Sequence, residues 1–373
     1  MNLSKSIDFL LENAGAVIQY RLHKEILGDL NQTQEENLLE KVYQTPLFKL
    51  LSTYVKPSGY IGSGMHSWDN WRGVQLHETP LQDGEAAARL LSYYAVPKTN
   101  PIVENFVAAM RDEETLRHEF AYIPPEVERF NDRFLGMNSG FCLMILIYTM
   151  QAMLGYGDDP EMDEVCKTSF EAFKSVLNLN AFSDITKTRQ GKTKYNYPYV
   201  EEDTYCPSVY HLAILAYTNG WRTDENVQIM ADALNRRNAI LPGDNNMQVK
   251  IKSNYYSVGL LLRPFRPFQA DVIDSILYRR VLTEIAMLGV GERVDIIRES
   301  VANVKEAIDS DGILQMRFDS PHNKRYSPKN IEYPTAYVDV RLELDYKRKY
   351  ALECDLTFWA VQFLTLVEEK QNG

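Results

Sequence analysis

The densest polar and aromatic stretch of the chain is HSWDNWRGVQLHETPLQDGE, residues 66–85. It joins a Gly-rich turn to an apolar helical pattern. Trp68 and Trp71 could stack on a ligand ring, while His66, Asp69, His77 and Glu78 could hydrogen-bond to it. Asp83 could act as a general acid or base. A helix N-terminus beside these residues would favour anionic groups through its partial positive charge. The same residues also suit a loop braced by two Trp side chains and closed by capping acids. His66 and His77 lack the close spacing of a zinc-binding pair.

A second cluster, EEDTYCPSVYH, covers residues 201–211. Asp203, Cys206 and His211 are possible metal ligands, Cys206 is a possible nucleophile, and Tyr205 could bind a substrate. Cys206 and His211 are five residues apart and do not share a helix face. The competing reading is a helix cap with Pro207 in the first turn and His211 in the core. A third cluster is CDLTFW, in which Asp355 and Trp359 are four apart and share a face. Asp83, Asp203 and Asp355 are thus the candidate catalytic carboxylates. Two of them in one cavity would suit glycoside chemistry. Arg263, Arg266 and Arg279 could clamp an anion. No metal or cofactor is assigned.

The elements that must position these residues repeat. Strongly apolar helical patterns break at Gly28, Pro97, Gly157, Gly220 and Gly291, so roughly every 60–70 residues. After each break comes an amphipathic helix. In GERVDIIRESVANVKEAI the apolar residues fall at Val294, Ile297, Val301, Val304 and Ile308, a single stripe. Asp158, Asp159 and Asp224 stand where helix caps are wanted. A helix that is apolar all round must be covered on all sides; a one-stripe helix covers it from one side.

Two concentric layers follow. Inner helices are expected at about 15–27, 80–96, 139–155, 205–219, 274–289 and 354–368. Outer helices are expected at about 33–53, 99–111, 159–177, 224–238 and 291–307. The first helix, LSKSIDFLLENA, would supply the sixth outer partner by packing beside the last. The expected fold is an all-α (α/α)6 toroid in one domain, residues 1–373, with an open α-solenoid as the alternative. Long loops at 112–138, 178–204, 239–273 and 309–353 would build one functional face, with a small β-hairpin insertion near 239–273 and a strand near 331–346.

Composition narrows the function. The formal net charge is −11 across 373 residues, which argues against nucleic acid or an anionic membrane as the main partner. The most apolar run, FCLMILIYTMQAML, is too short to span a bilayer. The four cysteines are widely spaced and read as free buried thiols of a reducing, cytoplasmic setting. The N-terminal stretch lacks the apolar core of a signal peptide. Oligomeric state is left open.

The turns KPSGYIGSG (56–64) and DSDGILQMRF (309–318), with the opening ENAGAVIQYRLHKEILGD, resemble the terpenoid cyclase and protein prenyltransferase superfamily. There, helices end in glycine-rich turns before the next inner helix. The resemblance implies a toroid whose central cavity binds or transforms an isoprenoid-like or other apolar small molecule. It brings no catalytic residues with it. The chain has no D-x-D-D acid motif and no C-G-E-Q thioester, and His211 is too near Cys206 to match the prenyltransferase zinc set. A carbohydrate-active enzyme using cavity carboxylates is the second expectation, and a non-catalytic protein-binding scaffold the third.

Overall fold

The computed structural model describes residues 3–64, 79–120, 143–190, 196–201, 204, 207–241, 247–251, 253–257, 262–271, 278–316, 342–343 and 348–369. Fourteen α-helices and one four-stranded sheet lie within them. In chain order the helices are α1 (Ser4–Asn13), α2 (Ala16–Arg21), α3 (Gln32–Tyr43), α4 (Pro46–Thr53), α5 (Gly84–Tyr93), α6 (Pro101–Arg111) and α7 (Glu113–Phe120). They continue as α8 (Leu143–Gln151), α9 (Asp163–Ser175), α10 (Val209–Ala216), α11 (Asp224–Ile240), α12 (Tyr278–Met287), α13 (Asp295–Ala307) and α14 (Ala351–Glu369).

The expected apolar helices are α2, α5, α8, α10, α12 and α14. α5 packs on α8, α8 on α10, α10 on α12, and α12 on α14, which in turn meets α2. α1 packs along α14, as the sequence suggests. Every residue of α10 is buried, as an all-round apolar helix requires. The amphipathic helices bury one stripe each; in α13 it is Ile297, Val301 and Val304.

Two apolar clusters form the core. One gathers α1–α6 and the other α9–α13, while α8 and α14 supply side chains to both. On α14, Cys354, Phe358 and Val361 face the first cluster, and Leu356, Trp359 and Phe363 the second. A fully buried Leu, Val or Phe contributes about 1.5–3 kcal/mol, so these two helices couple the halves strongly.

Several local expectations need correction. The helix expected at 33–53 is two helices, because Pro46 has no N–H to continue the first and instead starts the second at its N1 position. α7 lies in what reads as a loop. Thr223, not Asp224, caps α11: its extended backbone lets its side chain accept from the Asn226 N–H, whereas Asp224 is already helical. Asp159 makes no side-chain cap, and Asp158 reaches across to accept from the Asn219 and Gly220 N–H groups.

The hairpin expected near 239–273 is present, and it joins in one sheet with a second hairpin in the stretch 178–204 that reads as a loop. β1 (Lys187–Gln190) pairs antiparallel with β2 (Asn196–Glu201), β2 parallel with β3 (Gln248–Ile251), and β3 antiparallel with β4 (Asn254–Ser257). Val200 and Val249 turn inward and join the core. On the opposite face, the Arg189 guanidinium lies 4.0 Å from the Tyr255 ring centre. The strand expected at 331–346 lies outside the described residues except for 342–343, where no strand is formed.

Candidate functional site

A cavity of about 320 Å³ opens between α2, α5, α10, α12 and α14. The Asp355 and Trp359 side chains, one turn apart on α14, both line it. Asp355 is buried and accepts the Leu342 N–H at 3.1 Å. The Trp359 indole N–H donates to Thr283 Oγ1 at 3.1 Å, and its ring stacks on Phe363 at 5.5 Å. That hydrogen bond fixes the ring against α12 and leaves an aromatic wall on the cavity.

Glu25 is the second carboxylate lining this space. It sits in a π-helical turn, Leu22–Leu27, that widens the end of α2. Such turns commonly mark functional positions, because the extra residue re-aims nearby side chains. Arg21 grips both Glu25 oxygens at 2.8 Å, and Gln362 Nε2 donates to Glu25 Oε2 at 3.0 Å. Arg21 also donates to the Tyr93 carbonyl and lies 5.0 Å over the Phe358 ring. Burial works against the Arg21 charge, yet Glu25 outweighs it and raises the Arg21 pKa above its usual value.

Two more Arg–Glu pairs lie within the apolar helices. On α5, Arg89 Nη2 donates to Glu85 Oε1 at 2.7 Å; on α12, Arg280 Nε donates to Glu284 Oε1 at 2.8 Å. All four side chains are buried. Tyr210 on α10 donates to Glu85 Oε2 at 3.1 Å, and the Arg280 guanidinium lies 5.8 Å from the Tyr210 ring. Arg89 is opposed by burial, but Glu85, and more weakly Glu284, hold its pKa above the usual value. Tyr217, on the cavity wall, has its hydroxyl pushed up to about 12 by burial and then Glu284, with Arg89, Arg280 and Arg21 opposing.

The other candidates separate from this cavity. Asp83 is the N-cap of α5: its Oδ1 accepts the Glu85 N–H at 2.8 Å, and it is 2% exposed. His211 caps α10. Its Nδ1 accepts the Ser208 N–H at 3.0 Å, and burial, then Arg237, pushes its pKa down to about 3. The imidazole is therefore neutral, with one nitrogen committed to the cap. His66, Trp68, Asp69, Trp71, His77, Glu78, Asp203, Tyr205 and Cys206 lie outside the described residues. Among the described residues no group of three His, Cys, Asp or Glu side chains could hold a metal. Cys166 and Cys354 are free and buried, and burial pushes their thiols up to about 11 and about 12.

Arg21, Glu25, Glu85, Arg89, Arg280 and Glu284 were not among the expected site residues. Their signal is readable in RLHKE (21–25), EAAAR (85–89) and RVLTE (280–284), each an opposite-charge pair at i,i+4 within an apolar helix. Arg279 lines the cavity, while the Arg263 carbonyl accepts from Arg237.

No family model matches the chain, and no curated protein or solved structure matches it. No helix among the described residues is long and apolar enough to cross a membrane.

Proposed function

We propose that the chain is a single (α/α)6 toroid whose central cavity binds a small hydroxylated molecule of carbohydrate type. The toroid reading is supported by the order of helix contacts from α5 through α14 to α2, with α1 beside α14. The observation that carries the ligand reading is the meeting of Asp355, Glu25 and Trp359 in one cavity. Sugar rings present C–H faces to aromatic walls and hydroxyls to carboxylates. Here Trp359 and Phe358 supply the wall, while Asp355, Glu25, Gln362 and Thr283 supply polar groups. The volume falls at the small end of ligand pockets, about 300–1,000 Å³.

Recognition, rather than hydrolysis, is the role the geometry favours. A glycosidase needs one carboxyl poised to donate a proton. Glu25 instead already holds Arg21 on both oxygens and the Gln362 amide on one, so it would have to break that ion pair to reach a glycosidic oxygen. Asp355 likewise accepts a backbone N–H.

The second reading is an isoprenoid-like ligand. It draws on the resemblance to terpenoid cyclases and on the apolar walls at Ile26, Met287 and Leu366. Five ionisable side chains other than tyrosine along the lining, Arg21, Glu25, Arg279, Arg280 and Asp355, weigh against it. The comparisons add no support for that superfamily. Calorimetric titration with neutral disaccharides and, separately, with farnesol decides the matter. Saccharide binding that is lost in Trp359→Ala supports the first reading. Farnesol binding with no saccharide response overturns it.

A further inference from the structure

Among the described residues, the charges in and beside the cavity are balanced. Arg21, Arg279 and Arg280 line it against Glu25 and Asp355, and the adjoining network adds Arg89, Glu85 and Glu284. Four arginines thus face four carboxylates among the described residues. Arg21 and Arg89 are held firmly protonated by their glutamates. Glu25, Glu85 and Glu284 each carry a direct ion pair with the arginine four residues away.

From this balance we infer that the cavity selects an uncharged ligand: a neutral sugar or cyclic polyol, and not a uronate or a sugar phosphate. The inference rests on the carbohydrate reading above and narrows it. Arg21, Arg89 and Arg280 each already hold a glutamate, so an ion approaching them would lose its hydration without meeting an uncompensated charge. To reach the Arg21 guanidinium it would have to break that side chain from Glu25, which leaves a partly buried carboxylate unpaired. A neutral hydroxyl faces no such conflict. It can donate to Asp355 or Glu25 and accept from Gln362 or an arginine N–H while every ion pair stays closed. Glu25 therefore has a second task beyond accepting hydroxyl protons. It cancels the Arg21 charge and so keeps anions out.

Removing one carboxylate must then reverse the preference. Glu25→Gln preserves shape and hydrogen-bonding capacity but leaves the Arg21 charge uncompensated. The test is calorimetric titration of the full chain with matched pairs: glucose and glucuronate, galactose and galacturonate, and maltose, with glucose 6-phosphate added. Asp355→Asn serves as a second variant, and both are checked for unchanged circular dichroism and urea midpoint relative to each other.

In the wild-type protein the neutral member of a pair is expected to bind at least about tenfold more tightly, the worth of about 1.4 kcal/mol. In Glu25→Gln or Asp355→Asn the uronate is expected to gain about tenfold relative to its neutral partner. A wild-type protein that binds a uronate or the phosphate as tightly as the neutral sugar overturns the inference and leaves the carbohydrate reading standing. Unchanged selectivity in both folded variants overturns it as well. If no sugar of either charge binds the wild type or the variants, the carbohydrate reading itself falls, and this inference with it.

Discussion

Gly59 and Gly312 occupy the same place in two copies of one turn. Each has a positive φ, 87° and 85°, and each follows an amphipathic helix, α4 or α13. In both copies the residue four before the glycine bridges the residue two after it, Val55 to Ile61 and Ile308 to Leu314. The hydrogen bonds also correspond: Lys56 N to Tyr60 O and Asp309 N to Ile313 O, then Gly62 N to Tyr54 O and Gln315 N to Ala307 O. A Cβ on Gly59 would meet the Asn105 carbonyl oxygen in α6 at 2.6 Å; one on Gly312 would meet the Ser6 nitrogen in α1 at 2.5 Å. α1 therefore stands to α13 as α6 stands to α4. Ser6 Oγ donates to the Gly312 carbonyl at 2.7 Å and ties that contact down.

Alanine at either glycine should be costly. Positive φ costs a residue with a Cβ about 1–2 kcal/mol, and the clash with fixed backbone adds about 1–3 kcal/mol. Gly28 is the control, since its φ is 61° and a Cβ there meets nothing within 4 Å. Urea midpoints should fall much further for Gly59→Ala and Gly312→Ala than for Gly28→Ala. Equal losses at all three would show that the close approaches do not matter.

Acid should weaken the fold through His211. Its pKa is about 3 in the folded chain against 6.5 unfolded, so the unfolded state binds more protons between these values. The stabilisation is complete above about pH 6.5 and is lost as pH falls toward 3, reaching about 2 kcal/mol at pH 5. His211→Asn can still accept the Ser208 N–H and cannot titrate. The pH dependence of the urea midpoint should be flatter in that variant by this amount, and an unchanged slope would refute the assignment.

The buried pair on α5 should be far more sensitive to losing one member than to losing both. Arg89→Met leaves Glu85 charged with only part of its hydrogen bonding, at a cost of about 3–5 kcal/mol. Adding Glu85→Gln to that variant should restore most of the loss. Denaturation of the two singles and the double reads this directly, and a double variant no better than Arg89→Met alone would contradict it.

Trp359→Phe should separate the wall from its anchor. Phe keeps the aromatic face but leaves Thr283 Oγ1 without the indole N–H, so saccharide affinity should fall only a few-fold, by about 1 kcal/mol. Trp359→Ala should abolish binding measured by the same titration. Identical losses in both variants would show that ring contact contributes nothing.

The helical plan was legible because it is written in repeated, local signals. The all-round apolar pattern of α10 and the single stripe of α13 need no knowledge of neighbours. The glycines at 59 and 312 mark the turns because few other residues adopt their φ. The site was less legible. Asp355 and Trp359 reach the cavity, but Asp83 and His211 serve helix starts, which use the same residue types as catalysis. Glu25 was less legible because an opposite-charge pair at i,i+4 reads first as a solvated helix face, and nothing local places that face on a cavity. The parallel pairing of β2 with β3 was hidden for another reason: it joins strands separated by two whole helices, and nothing local in either strand names its partner.

The sharing of α14 between both apolar clusters has a temporal consequence. It is synthesised after every other described helix, yet both halves of the core and the cavity wall at Trp359 need it. Until it emerges from the ribosome, α2 and α12 each keep an apolar face waiting for a helix that does not yet exist. Closure then requires contacts between opposite ends of the sequence, the slowest kind to form. The nascent chain therefore exposes both apolar faces until translation has passed α14.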